Sequence, residues 1–157
     1  LEIFRNPVEA RMILRDILNV KGQHVHSARP QETLREAVKK LVAHRVGALA
    51  VLDNDSRIVG IITERDILRV SATSADRFAQ LLVGDHMTRD LVTANSAATV
   101  EDALAVMNQR RIRHLPVVEE GNLVGIVSQG DLVKASLEHA QFETRQLTNF
   151  VMGRYPA

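Results

Sequence analysis

The sequence predicts a mixed α/β (α+β) fold made of two tandem β-α-β-β-α units, with an extra helix at each end. Two observations carry that prediction. The second half of the chain repeats the first: Thr33 falls on Thr99, Leu34 on Val100, Ala37 on Ala103 and Val51 on Val117, each pair 66 positions apart. Past Val51 the offset becomes 65, which carries Gly60 onto Gly125 and Asp66 onto Asp131. Each copy also holds a stretch of helical apolar spacing followed by two short β-branched runs, the signature of a helix leading into a strand pair. The repetition comes before any motif, because a feature written twice needs an explanation that works in both places.

In chain order, Val8 to Leu18 predicts an N-terminal helix within a leading segment 1–19, ahead of a first unit at 20–75. A short apolar strand lies around Val25. Leu34, Val38, Leu41 and Val42 mark one helix face, and Thr33 with Glu36 supplies the N-cap hydroxyl and the acid that start it. GALAVL (47–52) and RIVGII (57–62) predict buried strands separated by the turn DNDS (53–56), and ILRVSA (67–72) opens the next helix. SATSADRFAQ (71–80) has the small polar residues of a linker or an extended helix end.

The second unit, 76–136, repeats the plan. Its strand falls near Leu91 and Val92, and its helix runs through Val100, Leu104 and Met107 behind Thr99 and Asp102. LPVV (115–118) and NLVGIV (122–127) form its strand pair, joined by EEG (119–121). The residue lost between copies falls in this turn, where a change of length is cheapest. The C-terminal segment 137–157 predicts a helix that ends at GRYP (153–156). Val133, Leu137, Ala140, Thr144, Leu147 and Val151 alternate by four and three, which fits either a seam for a partner helix or a tail folded onto its own domain.

Composition narrows the function classes. With 45% hydrophobic and 25% charged residues the chain is typical of globular proteins, and no run approaches the ~20 apolar residues of a membrane span. Only 3% is aromatic, with no Trp, which leaves few rings for stacking on bases. A net charge of +1 provides no field to steer a polyanion, so a small ligand is favoured over nucleic acid, with RRIRH (110–114) as a local anion site. The absence of Cys removes disulfides and thiolate chemistry and is compatible with a cytoplasmic protein.

The most informative repeat is GIITERD (60–66) against GIVSQGD (125–131). Thr63 with Asp66, and Ser128 with Asp131, sit before helical runs, so each pair can act as a capping box. A carboxylate at such a helix start also faces outward from the tip of its unit. An ionised Asp accepts two donors at once, which suits the 2′- and 3′-hydroxyls of a ribose. A cation follows one turn later in both copies, Arg69 and Lys134, placed for a phosphate or for solvent.

At these residues the chain resembles the CBS-domain pairs, the family named from cystathionine β-synthase. The resemblance spans roughly 20 to 136 and rests on the repeated element order, on GALAVLDNDSRIVGIITERDIL and on RRIRHLPVVEEGNLVGIVSQGDLV. It implies two units packed about a pseudo-two-fold axis, with two clefts for adenosine-containing ligands: AMP, ADP, ATP, S-adenosylmethionine or NAD(H). It further implies a sensor of the standalone type, not an enzyme, with no required cofactor, acting as a homodimer and passing its state to an unidentified regulated protein. Thr63 and Asp66 would hold the ribose in one cleft, Ser128 and Asp131 in the other. Gly47, Ala48 and Leu49, and in the second copy Arg113, His114, Leu115 and Pro116, would border adenine. Val25, His26 and Ser27, with Leu91, Val92 and Thr93, would form the other wall.

The two copies are not identical. Gly130 stands where Arg65 stands in the first, so the first copy alone offers a cation there, to pair with Glu64 or to reach a phosphate. The resulting clefts are expected to differ in affinity or phosphate preference. An alternative reading is a metal-responsive protein, because His24 and His26 flank Val25 on one strand face. Hydrolase or transferase activity finds no GxSxG, no P-loop and no Cys to support it.

Overall fold

The computed structural model describes residues 11–22 and 24–153. Helix α1 (Leu14–Lys21) is followed by strand β1 (Ser27–Ala28), helix α2 (Leu34–His44), strands β2 (Ala48–Leu52) and β3 (Ile58–Thr63), and helix α3 (Glu64–Thr73). After a 3-10 turn at Phe78–Gln80 come α4 (Val83–His86), α5 (Val100–Arg110), β4 (His114–Glu119), β5 (Asn122–Ser128) and α6 (Gln129–Val151). The expected N-terminal helix is thus present over Leu14–Lys21, and residues 1–10 of that expectation lie outside the described residues.

Local chemistry repeats along with the sequence. Helices α2 and α5 begin where Thr33 and Thr99 accept the amides of Glu36 and Asp102, and both end on a left-handed arginine, Arg45 or Arg111, at φ 53°. The β2–β3 turn is held by Asp53, whose carboxylate accepts the amides of Asp55 and Arg57. The shorter β4–β5 turn instead places Glu120 (φ 48°) and Gly121 (φ 81°) in the left-handed region, the geometry that matches the twist of a two-residue hairpin.

Strand β1 runs parallel to β2, which pairs antiparallel with β3; β4 and β5 form the antiparallel pair of the second unit. Register shifts fall at Val51/Leu52 and at Val117/Val118, equivalent places in the two copies. The strand expected near Leu91 and Val92 is instead a single parallel bridge from Ala94 to Val117, the counterpart of Ala28 on Val51. Ala94 donates to the Pro116 carbonyl and accepts from Val118, and the Asn95 side chain then takes the Ala97 amide and turns the chain away.

The two units exchange segments. Leu14, Ile17 and Leu18 of α1 are buried with Val100, Met107, Leu115, Val117 and Leu132 in the second core. Val83 and Met87, from between the copies, are buried with Leu34, Leu41, Leu49, Val51 and Ile62 in the first. Backbone bonds match residue by residue: Leu34 N to Leu81 O and Val83 N to Glu32 O answer Val100 N to Met12 O and Leu14 N to Ala98 O. This reciprocity is the pseudo-two-fold relation. It also explains the repeated glycine in β3 and β5, since a Cβ on Gly125 would stand 2.5 Å from Leu18 Cδ2 and one on Gly60 would collide with Met87.

Helix α6 is continuous for 23 residues, so the second unit's last helix and the C-terminal helix are one element. Leu132 is its buried residue, and Val133, Leu137, Leu147 and Val151 are exposed. The stripe is therefore not covered by the described residues of its own domain.

Candidate functional site

Each repeated carboxylate is set by its helix start. Asp66 Oδ2 accepts from Thr63 N (3.0 Å) and Thr63 Oγ1 (2.8 Å), and Arg69 approaches Oδ1 at 3.4 Å. Asp131 Oδ2 accepts from Ser128 N at 2.8 Å and from Lys21 Nζ at 2.6 Å. The capping boxes expected from the sequence are both complete. Asp66 is buried and Asp131 half-buried, so each carboxylate is fixed in direction before any ligand arrives.

A cleft of about 350 Å³ opens beside Ser128 and Asp131, and its opposite wall comes from the first repeat: His24, Val25, His26, Gly47 and Ala48. Helix α1 adds Lys21, which also donates to the Ile126 carbonyl at 3.0 Å, and Arg45 adds a second cation. Beside Thr63 and Asp66 lies a smaller cleft of about 160 Å³, lined by Gly47, Arg65, Thr88, Arg111, Arg113 and His114. Each cleft therefore lies between the units.

His114 stands at the centre and lines both clefts. Its equivalent in the first copy is Ala48, and the space for the ring comes from Gly47, where a Cβ would sit 2.9 Å from His114 Nε2. Burial and then Lys21 push the His114 pKa down, with Glu64 and Asp131 opposing and Arg113 adding to the depression. His26 is also lowered, by burial first and then by His44, His24 and Lys21. Burial raises the Asp131 carboxyl, but the Lys21 hydrogen bond and the Ser128 amide outweigh it and hold the group below its usual value.

The remaining expected residues distribute as follows. Leu49, Leu115 and Pro116 are buried strand residues behind the clefts. Ser27 pairs with Ala50 in the sheet, Val92 packs on the second core and Thr93 is exposed; none of these three lines either cleft. Among the described residues Arg65 does not pair with Glu64 but donates to the Arg111 carbonyl at 3.3 Å, at the end of α5, and it lines the smaller cleft. Lys134 faces a groove of about 610 Å³ between α1 and α6 and lies 4.0 Å from Glu138. The Lys21–Asp131 pair is the wall shared by that groove and the larger cleft.

His24 meets His26 edge-on at 4.7 Å between ring centroids, and His26 stacks on His44 at 3.9 Å. Among the described residues no group of three or more His, Cys, Asp or Glu is placed to hold a metal ion. Sequence reasoning missed Lys21 and Arg45, while Arg111 falls within the basic cluster RRIRH (110–114) expected as an anion site and does line the smaller cleft. Lys21 reaches the cleft only because α1 is exchanged onto the second unit, and a lysine at a helix end otherwise signals solvent.

The family model for the CBS domain matches twice, over residues 14–73 and 83–138. The CBS domain-containing protein CBSX3, mitochondrial, of Arabidopsis thaliana is 33% identical over 148 residues, covering 89% of this chain and 72% of that protein. The CBS-domain containing protein ATU1752 from Agrobacterium tumefaciens superposes with a TM-score of 0.78 at 37% identity, over 80% of this chain and 99% of that one. The CBS domain pair of MJ0100, solved with 5′-methylthioadenosine and S-adenosyl-L-methionine, gives 0.74 at 27% identity over 82% and 98% of the two chains. CBSX2, solved with AMP, gives 0.71 at 26% identity over 82% and 99%. With both halves matched and the exchanged core in place, the chain belongs to the CBS-domain family as a tandem pair.

Proposed function

We propose that this chain is a regulatory module that binds an adenosine-containing ligand in the cleft between its two units, with no catalytic step of its own. The observation that carries the reading is the carboxylate of Asp131, oriented by its helix start and facing a cleft of about 350 Å³ walled by the other repeat. That volume is within the usual range for small-molecule sites, and the 160 Å³ beside Asp66 is below it. The Asp131 cleft is therefore the primary site and the Asp66 cleft the secondary one. The complexes of the MJ0100 pair with S-adenosyl-L-methionine and of CBSX2 with AMP support the ligand class. In this reading Asp131 takes the ribose hydroxyls, Gly47 and Ala48 border the base, and Val25 and His26 close the far wall. Binding reaches a regulated protein through a homodimer whose contact uses the exposed Val42, Leu68, Val133 and Leu137.

A thermal-shift series with AMP, ADP, ATP, S-adenosylmethionine, NAD and NADH tests it. A ligand at ~100 times its Kd adds ~2.7 kcal/mol of stability and raises Tm. Asp131→Ala should weaken the tighter site by ~1.5 to 3 kcal/mol, the range for hydrogen bonds to a charged group. No shift with any of the six, and no nucleotide carried through purification, would overturn the reading.

A further inference from the structure

The larger cleft holds a charge problem that bears on which adenosine compound it takes, given the reading above. Among the described residues lining it, Asp131 is the sole acid, facing Lys21, Arg45 and three histidines, His24, His26 and His114. Both acceptor positions of Asp131 Oδ2 are already taken, by the Ser128 amide and by Lys21 Nζ. Among the described residues Oδ1 has no hydrogen-bond partner. A ribose that donates through two hydroxyls to the two carboxylate oxygens must therefore displace one donor. The Ser128 amide belongs to the start of α6 and leaves only if the helix start unravels. Lys21 is the last residue of α1 and side-chain accessible, so it is the donor that yields.

Displacement leaves the Lys21 ammonium with the Ile126 carbonyl and without its direct carboxylate partner. A neutral nucleoside does not restore that charge and a sulfonium worsens it, whereas a 5′-phosphate replaces the lost carboxylate directly. We propose that Lys21 is a specificity-determining residue that restricts the larger cleft to 5′-phosphorylated adenosines and disfavours adenosine and S-adenosylmethionine. Lys21 acts in two directions. It competes for Asp131 Oδ2 with any ribose that uses both carboxylate oxygens, and a ligand carrying an anion offsets that competition.

The two roles make opposite predictions for one substitution. Titration calorimetry with AMP, adenosine and S-adenosylmethionine is run on the full chain in an Asp66→Ala background, so that the Asp131 cleft alone reports. With Lys21 present, AMP should bind about tenfold tighter than adenosine, the strength of a charged hydrogen bond discounted for partial exposure. Lys21→Met should bring the two within about threefold, with adenosine binding tighter than before and AMP weaker. Lys21→Arg should keep the AMP preference. An unchanged AMP-to-adenosine ratio in Lys21→Met, or a parallel loss of both ligands, overturns the role of Lys21 while leaving the nucleotide reading intact. Binding of none of the three by any form overturns both.

Discussion

Replacing Gly125 by alanine tests whether α1 docks on the second unit as described. The new Cβ would stand 2.5 Å from Leu18 Cδ2 and 3.0 Å from Cδ1, and Leu18 is 2% exposed, so its side chain has nowhere to swing. Overpacking of this kind costs ~1 to 3 kcal/mol, against a gain of ~0.5 to 1 kcal/mol from exchanging a strand glycine for alanine. The net expectation for Gly125→Ala is a loss of up to ~2.5 kcal/mol. Leu18→Ala alone should cost ~2 to 5 kcal/mol, through lost burial and the cavity it leaves. In the Leu18→Ala background the clash disappears and the added methyl fills part of that cavity, so Gly125→Ala becomes neutral or stabilising. Urea unfolding of the four proteins, with unchanged m-values, yields the coupling directly. Costs that add within ~0.5 kcal/mol would mean that α1 does not contact Gly125, and would remove the structural basis for Lys21 entering the cleft.

Other expectations follow from the same contacts. Thr99→Ala and Ser128→Ala each remove an N-cap and should each cost ~1 kcal/mol in urea unfolding, but only Ser128→Ala should also weaken nucleotide binding, because α5 starts away from both clefts. His26 and His114 are held below the ordinary value of about 6.5, so the unfolded chain takes up protons first as pH falls. Their contribution is complete above pH ~6.5 and is lost as pH drops toward their folded values; His114→Gln should flatten that fall in a plot of urea midpoint against pH. Truncation before Glu138 removes Leu147 and Val151 but keeps Val42, Leu68, Val133 and Leu137, so light scattering should still show a dimer, and a monomer would place the contact on the distal half of α6.

The parts of the fold legible in the sequence are those that local chemistry encodes. The helix starts at Thr33, Thr63 and Ser128, the two hairpins and the turn that absorbs the missing residue all follow from patterns a few residues long. The exchange of α1 and α4 does not, because which unit a short helix packs on depends on pairing across most of the chain. A signal was nevertheless present: ILRDIL (13–18) and LVGDHM (82–87) are offset by 69, and Leu18 and Met87 meet the equivalent glycines Gly125 and Gly60. Site residues were legible where the repeat marked them, as with Asp66 and Asp131. They were illegible where the exchange placed them, as with Lys21, and where a backbone carbonyl was the partner, as with Arg65 on Arg111.

Helix capping and ligand binding by the same aspartates are compatible for a reason visible in their oxygens. In both copies Oδ2 turns back to the N-cap residue, Thr63 or Ser128, and this fixes the carboxylate plane. Oδ1 is then directed away from the cap and, among the described residues, is reached only by Arg69, at 3.4 Å in the first copy. The cap therefore orients the site, and a ribose that finds the carboxylate already aimed avoids the entropy of ordering it. What separates the two clefts is the second donor to Oδ2. At Asp66 Oδ2 it is the Thr63 hydroxyl, which can rotate to another acceptor, and at Asp131 Oδ2 it is the charged Lys21 from the other end of the chain. The divergence of Arg65 to Gly130 matches this division: the second copy draws its cation from α1, and the first keeps one of its own that braces the end of α5.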